Sequence, residues 1–83
     1  MTTHGIEIDP AVLAMIQPGA KVRHWFGYQT PNPTSEIWHI RSIVDDNYVV
    51  CRKWHAGRGW VYFLESMISF HLTYIDKGLE AAQ

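Results

Sequence analysis

The sequence has one cysteine, Cys51, in 83 residues, so no internal disulfide can staple the fold, and a disulfide-rich secreted scaffold is excluded. No apolar run approaches the roughly 18 residues that a membrane-spanning helix needs, because charged or polar residues interrupt every stretch. The first residues, Met1-Thr2-Thr3-His4-Gly5, carry no basic segment feeding an apolar one, so no secretory signal is expected. Charged residues are 18% of the chain and hydrophobic ones 47%, which is too apolar for intrinsic disorder. Repeats, linkers and low-complexity stretches are absent. The expectation is one domain over 1–83, soluble and cytoplasmic, with no membrane partner.

What the chain has in excess is aromatic rings. Trp25, Trp38, Trp54 and Trp60 stand beside four tyrosines and three phenylalanines. A domain this small buries only about 60% of the surface its unfolded chain exposes. Each ring would remove roughly 150–250 Å² from water. Four tryptophans exceed what so thin a core holds, so some are expected on the surface, where contiguous aromatic area marks recognition. The competing reading makes all four core or edge-covering.

The net charge of −1 hides a segregation. Residues 20–60 hold Lys21, Arg23, Arg41, Arg52, Lys53 and Arg58 against Glu36, Asp45 and Asp46, a net of +3. The remainder holds Lys77 against Glu7, Asp9, Glu65, Asp76 and Glu80, a net of −4. Such asymmetry can build a basic face on a mildly acidic protein, although a solvated mixed surface uses the same residues.

Along the chain, Asp9-Pro10 is an N-cap followed by proline at the first helical position, with Val12, Met15 and Ile16 on one face, so a helix is expected over 10–17. Pro18 ends it, and Gln17-Pro18-Gly19-Ala20 fits a type II turn. Periodicity then changes to two. Ala20, Val22 and Phe26 alternate with Lys21, Arg23 and Trp25, and a strand is expected. Residues 29–35 read as a proline-bearing loop, 36–44 as a second strand, Asp45-Asp46-Asn47 as a tight turn, and 48–54 as a third strand. His55-Ala56-Gly57-Arg58-Gly59 reads as a hairpin loop into a fourth strand over 60–64. Ile68, Phe70, Leu72 and Tyr74 alternate with Ser69, His71 and Thr73, giving a fifth strand, and 76–83 reads as a helical or frayed tail.

This spacing of strands and turns over about residues 19–75 resembles the SH3-like barrel superfold. The resemblance implies a mainly β fold: a small, five-stranded antiparallel barrel with a short N-terminal helix. It matches no family-specific motif, so it implies architecture and leaves function open.

Chemistry offers little. The five histidines (His4, His24, His39, His55 and His71) and Cys51 lack the paired spacing of zinc ligands, and no metal or cofactor is expected. Cys51 reads as a small buried residue, with no histidine placed beside it to activate a thiolate. No catalytic residue is assigned, and the chain is read as non-enzymatic; a site formed between subunits is the alternative under which it would be an enzyme.

Binding has more behind it. Side chains alternate across a strand, so inward Ala20, Val22 and Phe26 send Lys21, Arg23 and Trp25 outward. Inward Val49 and Cys51 send Tyr48, Arg52 and Trp54 outward; the opposite register, with Tyr48, Val50 and Trp54 buried, stays open. Inward Val61 and Phe63 send Trp60 and Tyr62 outward. Rings interleaved with arginine suit stacking on bases with phosphate contacts, and suit protein hot spots equally. The candidate binding residues are Arg23, Trp25, Arg52, Trp54, Arg58 and Trp60. The expected partner is nucleic acid; the alternatives are a protein partner and homo-oligomerisation through the same surface. A blander role is also open: Trp25 and Trp60 plugging the barrel ends, with Arg52 lying along a ring.

Overall fold

The computed structural model describes residues 2–25 and 36–82. The inward Phe26 and the loop expected over 29–35 lie outside those residues.

The chain opens with a hairpin that the sequence reading did not assign. Strand β1 (Thr2–Thr3) pairs antiparallel with β2 (Ile6–Glu7). His4 and Gly5 link them with φ of 50° and 79°, the positive pair that a type I′ turn requires. The hairpin delivers Ile8, fully buried, into the core. Helix α1 (Pro10–Met15) follows, shorter than expected but capped as expected: the Asp9 carboxylate accepts from the Ala11 N–H at 2.8 Å, and Pro10 opens the first turn. The next turn also forms, with the Ala20 N–H donating to the Gln17 carbonyl at 2.9 Å and Gly19 at φ 89°.

Five strands make the main sheet: β3 (Lys21–His24), β4 (Glu36–Val44), β5 (Tyr48–His55), β6 (Gly59–Ser66) and β7 (Leu79–Ala82). All pairings are antiparallel, in the order β6-β5-β4-β3-β7. Asp45 and Asp46, at φ 53° and 58°, turn β4 into β5, and the Asn47 N–H closes the turn on the Val44 carbonyl at 3.1 Å. Three residues join β5 to β6, with Gly57 at φ 91°.

Three expectations are corrected. First, Met67–Ile75 is a helix, α2, and not the fifth strand. Its buried residues are Met67, Phe70 and His71, at the i, i+3, i+4 spacing of a helix face. Ser66 caps it by accepting from the Ser69 N–H at 3.0 Å. The alternation of Ile68, Phe70, Leu72 and Tyr74 is an accident of composition. At the far end Lys77 sits at φ 62°, with Lys77 N–H to the Tyr74 carbonyl and Gly78 N–H to the Thr73 carbonyl, the paired bonds of a Schellman cap.

Second, the expected helical or frayed tail contains β7, which pairs with β3 along its whole length. Leu-Glu-Ala-Ala has weak strand propensity; the pairing is set by the α2 cap behind it and by Leu79, which docks in the core. Third, the sheet is open. Among the described residues β6 and β7 are its two edges, and no pairing joins them into a closed barrel.

The architecture is therefore mainly β and two-layered. One sheet face packs Val22, Trp38, Ile40, Val49 and Cys51 against Ile8, Val12, Ile16, Met67 and Phe70 from the hairpin and helices. Trp38 is the centre of that layer: its ring stacks on His24 at 4.0 Å and meets the rings of Phe63 and Phe70 edge-on at 4.8 and 5.9 Å. Its Nε1 donates to Glu36 at 3.4 Å, and Lys53 donates to the same carboxylate at 3.2 Å.

Candidate functional site

The register decides what the other sheet face shows. Residues paired across strands point the same way, and Tyr62, Arg52, His39 and Lys21 are successive partners across β6, β5, β4 and β3. They form one row on the face away from the helices. Trp54 pairs with Trp60 in the neighbouring row, and Arg23 continues the face on β3. Beyond Tyr62 the face turns plainly apolar, with Leu64, Val44 and Tyr48 all exposed. The open register of the third strand is thereby resolved: Val49 and Cys51 are inward, and Tyr48, Arg52 and Trp54 outward.

The tryptophans divide between the layers. Trp54 is 65% and Trp60 39% exposed, whereas Trp38 and Trp25 are each 5% exposed. The outward placement expected for Trp25 is thus corrected. Strand β3 ends at His24, so alternation no longer applies to the next residue. The Trp25 N–H bonds to the Gly78 carbonyl at 2.9 Å, and its ring, with Tyr74, Ile75 and Leu79, borders a depression of about 500 Å³ at the β7 edge, opposite the exposed pair.

On the open face the rings are arranged by edge contacts. Trp54 and Trp60 meet at 5.4 Å with planes 81° apart, and His39 meets Trp60 at 4.9 Å and 85°. Arg52 is held among them. Its guanidinium lies 3.9 Å from the Trp60 ring centroid, and its Nη1 donates to the Tyr62 hydroxyl at 3.2 Å. Arg52 thus lies against one ring and is hydrogen-bonded to a second. Arg23 lies 3.8 Å from Glu80 of β7. Arg58 is exposed in the β5–β6 turn beside the tryptophan pair.

Of the six sequence-assigned residues, the structure gathers Trp54, Trp60 and Arg52, sets Arg58 at their rim, leaves Arg23 across the sheet, and buries Trp25. Three further residues join the face. His39 arrives through cross-strand pairing, which alternation along one strand cannot reveal, and the same pairing brings Lys21, already outward by alternation, into its row. Arg41 arrives through the register shift between Ile40 and Ser42, a bulge that leaves it exposed. On this face Lys21, Arg23, Arg41 and Arg52 stand with Glu80 as the carboxylate.

Titration follows the same division. Burial, reinforced by Arg52, Lys21 and Arg41, holds His39 below its ordinary value, so it faces Trp60 as a neutral ring at neutral pH. Burial pushes the Cys51 thiol up to about 12, with Glu65 adding to the shift, so the thiol stays protonated. Among the described residues no three His, Cys, Asp or Glu side chains come together in a way that could hold a metal ion. No helix among them is long and apolar enough to cross a membrane. Comparison with known protein families, with curated proteins and with solved structures finds no match to this chain.

Proposed function

We propose that the chain is a non-enzymatic binding module whose open sheet face takes single-stranded nucleic acid. Trp54, Trp60 and Tyr62 stack on bases, and Arg58, Lys21 and Arg41 meet phosphates, while Arg52 holds the rings in place. The observation that carries this reading is the exposed Trp54 set edge-on against Trp60, on a face whose charged strand positions are four cations against Glu80. Bare rings give sequence-tolerant stacking platforms, and cations along them track a phosphate backbone. The four-strand meander, with β7 returning beside β3, supports the SH3-like resemblance at the level of strand order.

The test is a titration of short single-stranded DNA and RNA at two salt concentrations. Trp54→Ala is expected to weaken binding by about 1–3 kcal/mol, the range for one stacked base. Arg58→Ala is expected to weaken binding across all sequences and to lower the salt slope by about 0.7, one single-strand phosphate contact. Wild-type protein that binds neither nucleic acid at low salt overturns the reading. A salt-insensitive complex with a protein, lost in Trp54→Ala, assigns the face to that partner instead.

A further inference from the structure

The two edges of the sheet differ in how they are protected. Edge strands expose unpaired N–H and C=O groups, and natural proteins blunt them with short length, charge, proline or bulges. β7 is blunted: it has four residues and carries Glu80, which is ion-paired to Arg23. β6 is not. It runs eight residues, Gly-Trp-Val-Tyr-Phe-Leu-Glu-Ser, with neither proline nor lysine; its one charge, Glu65, is half-buried near the end of the strand on the packed side, opposite Val49, and its register with β5 is unbroken from Gly59 to Ser66. Among the described residues β5 is its one strand neighbour.

From this asymmetry we propose that β6 pairs antiparallel with β6 of a second copy of this chain across a two-fold axis at Tyr62. The sequence of the strand selects that register. In an antiparallel pair facing residues share a sheet face, so the pairing must match outward residues with outward and inward with inward. Placing Tyr62 opposite the partner's Tyr62 sets Trp60 opposite the partner's Leu64, and Val61 opposite the partner's Phe63. Every central pair is then aromatic or aliphatic, and Glu65 faces the partner's Gly59, so no like charges meet. Moving the axis one residue along, to Phe63, keeps Tyr62 opposite the partner's Leu64 but sets the Glu65 carboxylate opposite the partner's Val61 and leaves Trp60 against the partner's Ser66. A two-fold interface requires such self-complementarity, and this strand has it.

The product is a ten-stranded sheet in which the open faces of both copies run on across the axis, with two Trp54–Trp60 pairs on one surface. The pairing rests on the strand edge and stands apart from the nucleic-acid reading. Its test therefore contains no nucleic acid.

Sedimentation of the full chain across micromolar to near-millimolar concentration is expected to give a mass approaching twice 9.6 kDa. Tyr62→Lys sets two ammonium groups face to face and is expected to return the mass to that of one chain. Tyr62→Cys decides the matter if that variant does not fold. Thiols at facing positions lie within disulfide reach, so mild oxidation is expected to give a covalent dimer, whereas Leu72→Cys, on the exposed side of α2, gives none. A wild-type monomer at the highest concentration overturns the proposal. So does cross-linking no greater at position 62 than at 72. A mass above two copies overturns it as well, since that requires an open or ring-forming contact.

Discussion

Trp38 and Trp54 show how a single residue's role is set by which side of a strand it leaves. Trp38 faces the helices, stacks on His24 and hydrogen-bonds Glu36; Trp54 faces outward, mostly exposed, with Trp60 at its edge. His24 carries a consequence of that packing. Burial is the main cause holding its pKa below the ordinary 6.5, reinforced by Lys53 and opposed by Glu65 and Glu36. The unfolded chain therefore takes up a proton before the folded one does. Stability is complete above pH 6.5 and declines as pH falls from there through the depressed folded value. Thermal melts from about pH 8 to about pH 5 are expected to show a falling midpoint, and His24→Gln is expected to flatten the decline. A midpoint that rises on acidification over that window contradicts the assignment. His39, also held low by burial, acts in the same direction.

Elements were legible where local chemistry alone decides them. The Asp9-Pro10 cap, the Pro18-Gly19 turn and the Asp45-Asp46-Asn47 turn are each dictated by a few neighbouring residues, and each forms where the sequence places it. The segment 67–75 was not legible by alternation, because apolar residues at every second position there coincide with a helical set at Met67, Phe70, His71 and Tyr74. The cap at Ser66 and Ser69 was the signal that could have separated them. Strand β7 was illegible for a different reason: its pairing depends on Lys21–His24, more than fifty residues away. Helix α2 makes a sharp prediction that a strand would not. Phe70→Ala is expected to cost about 3–5 kcal/mol of stability, whereas Leu72→Ala, on the exposed side, costs under about 1 kcal/mol. Denaturant unfolding of the two variants measures this. Equal losses would mean that residues 70 and 72 share one buried face, as in a strand.

At the scale of the whole molecule, both helices of the described residues and the N-terminal hairpin lie on one side of the sheet, and among those residues none covers the other side. That arrangement was only half visible in the sequence. Alternation gave the outward set on β5 and β6, including Trp54 and Trp60, but not the row that joins Tyr62 to Lys21, nor the openness of the sheet. The uncovered side is where the surplus of aromatic rings resides, and binding there is the central claim. The four indole N–H groups report on it separately in a proton–nitrogen correlation spectrum, two from the open face and two from the packed one. On titration with a short single-stranded oligonucleotide, the Trp54 and Trp60 signals are expected to shift together while those of Trp38 and Trp25 stay in place. Shifts confined to Trp38 and Trp25, or four unmoved signals at low salt, would contradict the account.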